Sequence, residues 1–404
     1  MQSEVKRSTI ARHGQQRTPS AIGQLLRLAA IAAATIVVAA VGITSWIVAD
    51  LGATYSADAV DLGGEAPPPG FAELSGGANI LVAGTDNCEP EYAEIFKERC
   101  VNAEEGTRSD VLMMVNISDA PRRVTVVSFP RDLLVDIPSC TDENGAETSP
   151  RYRQMINSAF SIGGLACSVE TVRELTGMDI KYAASINWGG VIEVTNAIGG
   201  VDVCVATEMR DADSGINLQP GTHSLQGEEA LAFLRARKST ANGSDLARIG
   251  NQQLYMSSLV RKITSEQVLT DPALLLKLAR TILSAVDPST SLTNPVTLVE
   301  MGLALKDIPT SDYVFVQYPA ADAPDDPNRV VPITSAAAEL FDAIERNEPL
   351  GLAETEGTPA PEPAPDAEET PVVTPAPEAE KVVLPPSVSG TTGDTVGCAT
   401  GRVF

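Results

Sequence analysis

The sequence predicts an α/β domain over residues 78–348, carried outside the membrane on one transmembrane helix. Three observations lead there. Short apolar runs closed by Gly or Asp alternate with stretches of helical period, the pattern of strands and helices layered on a sheet. Residues 28–49, LAAIAAATIVVAAVGITSWIVA, hold 22 positions without a charge. After residue 350 the composition shifts to Pro, Glu and Ala without periodicity, which cannot bury a core.

From the N-terminus, Lys6, Arg7, Arg12, Arg17 and Arg27 stand against Glu4 alone before the apolar run. Basic flanks stay in the cytoplasm. Residues 1–27 are therefore read as a cytoplasmic tail and 28–49 as an uncleaved, single-pass anchor in the cell membrane, long enough to cross roughly 30 Å of hydrocarbon. The rest of the chain is expected outside the cell. The six cysteines, Cys88, Cys100, Cys140, Cys167, Cys204 and Cys398, all follow the anchor, where an oxidising compartment permits disulfides. Six cysteines allow 15 pairings, among which sequence alone does not choose; Cys88 with Cys100 and Cys140 with Cys167 are the local candidates, and Cys398 stands isolated in the tail. Zinc is disfavoured: there is no CxxC pair and the chain has two histidines, of which His13 precedes the anchor.

Residues 50–77, containing GEAPPPG, read as a spacer. ANILVAGTD, DVLMMVNIS and RRVTVVSF follow as buried strands. A helix is predicted within 156–176, then a strand at YAASINW, a short helix at GVIEVTNAIGG stopped by glycines, and a strand at VDVCV. GEEALAFL is helical, 245–267 is a longer amphipathic helix, and helices fit 271–285 and 295–306. The strand DYVFVQYP and a helix near 334–346 complete the domain. Residues 349–404 are read as a disordered, extended tail. No internal repeat is present.

The net charge of −24 excludes nucleic acid as a partner, since phosphate backbones select basic faces. No GxSxG elbow or Walker-type loop occurs. The one histidine beyond the anchor, His223, has nothing nearby to complete a catalytic set and reads as a loop residue. The chemistry lies in arginines and aspartates at element ends. Arg108 and Asp110 are two apart at the start of a strand and so share a face. Arg131 follows the strand VVSF across a proline. Arg235 and Arg237 diverge by roughly 200° on a helix, so a common target requires the helix to end near Leu234. Arg248 sits in the first turn of a helix, against the dipole, where an anion would favour it and free N–H groups would receive phosphate. Asp86 closes one strand as Asp110 opens another. The two carboxylates are either salt-bridge partners of the arginines or ligands for a hard cation such as Mg²⁺.

Taken together, NILVAGTD, TRSDVLMMVNI, VVSFPRDLLVDIP, INSAFSIGG, INWGGVIEVTNAIGGVDV, LQGEEALAFLRARKS and GSDLARIGNQQ resemble, in order and spacing, the LytR-CpsA-Psr (LCP) family of bacterial cell-wall enzymes. The resemblance implies a single mixed-sheet domain flanked by helices. It also implies a phosphotransferase that moves a glycopolymer from a polyprenyl-pyrophosphate carrier to peptidoglycan, at the C6 hydroxyl of N-acetylmuramic acid. Carried over residue by residue, Arg108, Arg131, Arg235 and Arg237 match the family's pyrophosphate-binding arginines, and Arg248 is a further contact. Asp86 and Asp110 match its Mg²⁺ ligands, and the prenyl chain is expected in an apolar pocket between sheet and helices. Asp132 is a candidate base, but neighbours on a strand face opposite ways, which favours a role in anchoring the turn.

Two departures from the family pattern stand out. The segment after Asp86, NCEPEYAEIFKERCVNAEEG, is longer than usual and carries two cysteines, and GNQQ replaces a pattern that often contains a basic residue. Two other functions remain open at this level. The same site would admit water, making a lipid-pyrophosphate phosphatase or pyrophosphatase. Without turnover it would make a wall-polymer-binding regulator.

Overall fold

In the computed structural model, residues 59–63, 76–87, 107–142, 145–237, 245–265, 268–353 and 381–401 are described, with scattered single positions elsewhere, among them Leu74, Tyr92 and a few between 22 and 35. The expected anchor at 28–49 and the Cys88–Cys100 pairing lie largely or wholly outside them. Among the described residues no helix is long and apolar enough to cross a membrane. Residues 1–50 and 51–404 separate into two units, and the second of them contains the sheet and its helices.

The second unit begins with the antiparallel strands β1 (Ala78–Thr85), β2 (Ser109–Ile117) and β3 (Val124–Phe129). A hairpin of β4 (Leu134–Ile137) and β5 (Arg151–Met155) leads into α1 (Ser158–Thr176) and β6 (Tyr182–Ile186). Next come α2 (Trp188–Ile198), β7 (Val201–Val205), β8 (Met209–Asp211), β9 (Ile216–Leu218), β10 (Gly221–Leu225) and α3 (Gly227–Arg235). The helical stretch is α4 (Asp245–Ser265) and α5 (Pro272–Ala285), then β11 (Asp287–Pro288) and α6 (Pro295–Ala304). β12 (Tyr313–Gln317), the hairpin β13 (Ala320–Ala323) and β14 (Asp326–Pro332), and α7 (Thr334–Glu345) precede the short β15 (Leu350–Gly351), β16 (Val382–Val383), β17 (Gly390–Thr392) and β18 (Cys398–Ala399).

One seven-stranded sheet, in the order β11-β6-β1-β2-β3-β12-β17, organises the domain. β1 pairs β6 in parallel and β3 pairs β12 in parallel, while the other neighbours are antiparallel. The sheet is therefore mixed, as the resemblance implies. All six residues of β3 are buried, as a central strand covered on both faces requires. Alternation sorts the side chains. Leu81, Ala83, Leu112, Met114 and Val127 point to the core closed by α1 and α7. Their neighbours Val82, Val111, Met113, Val115 and Val126 face α2, α3 and α4.

Within residues 78–348 the predicted elements form, and the hairpins β4–β5, β8–β9 and β13–β14 are additions. The extended tail expected from 349 to 404 is corrected at its far end. Residues 390–392 add β17 to the β12 edge of the main sheet, and β18 pairs in parallel with β7. Cys398 is not isolated: it forms a disulfide with Cys204, 194 residues away in sequence. Cys140–Cys167 forms as expected, with a Cα–Cα separation of 5.2 Å.

Candidate active site

Between the sheet and α2, α3 and α4 lies a cavity of about 770 Å³. Its walls are apolar: Val82, Met113 and Val126 from strands, Val191, Val194 and Ile198 from α2, Leu231 and Leu234 from α3, Met256 and Leu259 from α4. The polar and charged lining includes Asp110, Arg131, Arg235, Arg237 and Arg248. Four of the expected arginines and one expected aspartate therefore converge on one space from β2, the turn after β3, the end of α3 and the start of α4.

Each is placed for a local reason. Pro130 ends β3, and the Leu133 N–H donates to the Pro130 carbonyl at 3.0 Å, closing the turn that turns Arg131 toward Asp110. The Arg131 Nη1 donates to the Asp110 Oδ1 at 2.8 Å. Its Nε lies 3.6 Å from the Asp132 Oδ2, and the Arg329 Nη1 lies 3.6 Å from the other oxygen of Asp132. Asp132 thus sits between two guanidiniums and holds Arg131 from behind, the anchoring role expected of it.

α3 stops at Arg235, and Ala236 is already extended (φ −60°, ψ 123°). This is the termination that two arginines with one target demand, and both line the cavity. The Arg235 guanidinium lies 3.7 Å from the centre of the Trp188 ring, a cation–π contact that fixes its plane. Trp188 opens α2, whose N-cap Asn187 accepts a hydrogen bond through Oδ1 from the Gly190 N–H at 2.7 Å. A Cβ on Gly190 would lie 2.0 Å from the Ala285 carbonyl oxygen, so the glycine lets α2 press against the end of α5. INWGG therefore encodes a cap, a guanidinium platform and a close helix contact. Arg248 is only 4% exposed, and its Nη2 donates to the Asp110 carbonyl at 2.7 Å, tying the first turn of α4 to β2.

Arg108 and Asp86 do not line the cavity. Arg108 is exposed, and the register shift at Gly84/Thr85 separates it from Asp110. Its backbone N–H donates to the Asp86 Oδ1 at 2.9 Å. Asp86 follows Thr85, which does line the cavity. Burial is the largest influence on the half-buried Asp86 carboxyl and pushes it above the ordinary range; the Arg108 N–H pulls the other way, and the Asp110 charge adds to the rise. Two carboxylates close enough to repel suit a hard divalent cation with phosphate oxygens and water completing its shell. Among the described residues no group of three His, Cys, Asp or Glu gathers, so Mg²⁺ would rest on these two. The salt-bridge alternative is also present, since Asp110 already pairs with Arg131.

Sequence reasoning missed Trp188, Asn187, Asp211, Asp213, Gln252 and Tyr255 in the cavity lining. INWGG was the available signal for the first two. Tyr255, which burial pushes up in pKa, reads from sequence as one more apolar position of α4.

The site is thus an apolar chamber with Arg131, Arg235, Arg237 and Arg248 in its wall, built on a mixed sheet. The sequence profile of the LytR_cpsA_psr family matches residues 55–340, and the chain belongs to that family. Among curated relatives it is 31% identical over 238 residues to the "Probable cell wall biosynthesis protein LcpB" of Corynebacterium glutamicum, covering 58% of this chain and 53% of that one. It is 30% identical over 158 residues to the "Polyisoprenyl-teichoic acid--peptidoglycan teichoic acid transferase TagU" of Enterococcus faecalis, covering 39% and 48%. The chain spans about half the length of the curated relatives it matches. Among solved structures, Bacillus subtilis TagV aligns with a TM-score of 0.50 at 23% identity, covering 68% of this chain and 98% of that one, a likeness of fold.

Proposed function

We propose that the protein is a membrane-anchored phosphotransferase of cell-wall assembly. It takes a glycopolymer from a polyprenyl-pyrophosphate carrier and links it through a phosphodiester to peptidoglycan, at the C6 hydroxyl of N-acetylmuramic acid. The observation that carries this reading is the convergence of Arg131, Arg235, Arg237 and Arg248 on the wall of one apolar cavity. A pyrophosphate head with a prenyl tail has that same division of charge and hydrocarbon. The TagU relative's name specifies a polyisoprenyl donor and peptidoglycan, which supports the assignment. In this reading residues 28–49 hold the domain at the outer face of the membrane.

Phosphoryl transfer asks the protein mainly for positioning and for neutralisation of charge on the phosphate oxygens. The acceptor oxygen forms a bond to the phosphorus that bears the glycan as the bond to polyprenyl phosphate breaks. The leaving phosphate keeps the electron pair, and the hydroxyl proton passes to solvent or a basic group. Arg131, steadied by Asp132, and Arg235, held over the Trp188 ring, present forks to those oxygens, which lysine would not do. Asp86 and Asp110 would hold Mg²⁺, which when bound supplies further charge neutralisation on the pyrophosphate.

The test is incubation of the detergent-solubilised chain with a synthetic polyprenyl-pyrophosphate glycan and peptidoglycan fragments, with and without Mg²⁺. Sugar phosphate attached to the fragments, dependent on Mg²⁺ and lost in Arg131→Ala, is the expected result. Free sugar phosphate without attachment would favour the phosphatase reading. Retained carrier binding with no turnover would favour a binding protein.

A further inference from the structure

The hairpin that follows the Arg131 turn carries a feature that neither the fold nor the proposed chemistry uses. β5 reads Arg-Tyr-Arg-Gln-Met, and its first four residues are exposed. Tyr152 is 73% exposed and is the only exposed aromatic among the described residues. A tyrosine in that position adds nothing to the core. Arg151 beside it has no ion-pair partner among the described residues, in a chain whose net charge is −24.

The local backbone is built to present these side chains. Val135 pairs with Gln154 and Ile137 with Arg151, so Tyr152 and Arg153 together oppose Asp136 across a bulge. Arg153 adopts φ 51°, the left-handed region that side-chain-bearing residues avoid. The surroundings hold it there. The Arg153 N–H donates to the Asp136 Oδ1 at 2.9 Å, its Nη1 donates to the Asp325 Oδ2 at 2.6 Å, and the Gln154 Nε2 donates to the Tyr152 carbonyl at 3.1 Å. Bulges beside active sites commonly re-aim a side chain, and backbone strain maintained by its neighbours points to function.

The same frame reaches the reaction site. The Val330 N–H donates to the Asp132 carbonyl at 3.3 Å, and Asp132 lies between Arg131 and Arg329. Asp325, at the turn between β13 and β14, pairs with Arg153. The hairpins β4–β5 and β13–β14 are thus clasped at both ends, with Arg131 at one end and Arg151 and Tyr152 at the other. At about 3.3 Å per strand residue these ends lie on the order of 15–20 Å apart, within the span of a short glycan.

We propose that Arg151, Tyr152 and Gln154 form a platform for the acceptor, a glycan strand bearing carboxylates, which it holds so that a hydroxyl reaches the phosphate at Arg131. The assignment rests on the transferase reading. Tyr152 offers a rigid aromatic face to the C–H side of a pyranose and a hydroxyl to its rim. Gln154 offers an amide to sugar hydroxyls. Arg151 offers a fork to a peptide-stem carboxylate. Peptidoglycan combines these groups, and its stem carboxylates suit Arg151, since Arg153 is already paired with Asp325.

The test is co-sedimentation of the full chain, in detergent, with purified insoluble peptidoglycan at fixed low salt. Tyr152→Ala is expected to weaken binding about tenfold or more, as loss of an interface anchor does, whereas Tyr152→Phe stays within about twofold because the ring remains. Arg151→Ala should bind native peptidoglycan as weakly as the unmutated protein binds peptidoglycan whose carboxylates have been amidated. Affinity for the polyprenyl-pyrophosphate carrier should not change in any variant. Sedimentation indifferent to Tyr152→Ala, no sedimentation of the unmutated chain, or loss of carrier affinity in the variants overturns the platform. If transfer fails while sedimentation still depends on Tyr152, the reaction falls and the surface stands. If transfer proceeds and sedimentation ignores Tyr152, the reverse holds.

Discussion

Arg131 combines three demands in one side chain: it pairs with Asp110 at 2.8 Å, is steadied by Asp132 at 3.6 Å, and lines the cavity. Replacing Arg131 with Ala is expected to lower the transfer rate by about 10²–10³-fold, the usual effect of removing one fixed donor from a developing charge. Arg131→Lys should recover little, because an ammonium cannot reproduce the fork; single-turnover kinetics with the lipid-linked glycan would measure both. Trp188 acts through Arg235. Trp188→Leu should lower the transfer rate with the Arg235 charge still present, and Trp188→Phe should restore most of it, since a smaller ring keeps the cation–π contact. Equal rates for Leu and Phe would show that the ring serves packing alone.

Among the elements, the clasp of β4–β5 on β13–β14 has a pH dependence of definite sign. The hydrogen bond from Arg153 is the main cause that holds the Asp325 carboxyl below its ordinary value of 3.8. A depressed folded-state pKa stabilises the structure above the unfolded value, and that contribution is lost as pH falls through the folded one. The clasp is therefore expected to be intact from neutral pH down to about 4, and to loosen only below the aspartate range. NMR titration of the Asp325 carboxyl together with the Arg153 amide would follow it, and Arg153→Ala should shift the Asp325 titration upward, toward the ordinary range. The pair is exposed and screened, so global stability should barely move. From sequence β5 was invisible, because RYRQM has no apolar alternation to mark a strand. The end of α3 was legible, because two arginines with one target cannot both reach it from a continuing helix.

For the molecule as a whole, the C-terminal segment is the main surprise. β17 extends the sheet beyond β12, and Cys398 fastens β18 beside β7. Removing the disulfide with Cys204→Ser and Cys398→Ser together is expected to cost about 2–4 kcal/mol, the usual range for a bridge that closes a long loop. Denaturant unfolding under oxidising conditions would measure it. Truncation after Gly351 should destabilise more, since it also strips β17 from the sheet and leaves β12, still paired with β3, as an open edge. A truncated chain as stable as the intact one would restore the reading of the segment as a dispensable tail.

By itself the sequence determined what depends on neighbours along the chain: where the apolar strands of the main sheet and the longer helices lie, that α3 must stop, that Arg131 follows β3 across Pro130, and which residue types are suited to phosphate. Periodicity, caps and glycines act within a few residues, so they can be read in order. Only the tertiary structure decided what depends on meeting across the chain. It placed Arg108 outside the cavity while Arg131, Arg235, Arg237 and Arg248 converge on it, set Trp188 under Arg235, and returned residues 390–399 to the sheet edge and β7. Such contacts join positions tens to hundreds of residues apart. Their stability comes from burial and pairing that exist only once the whole sheet has closed, and no local pattern records it.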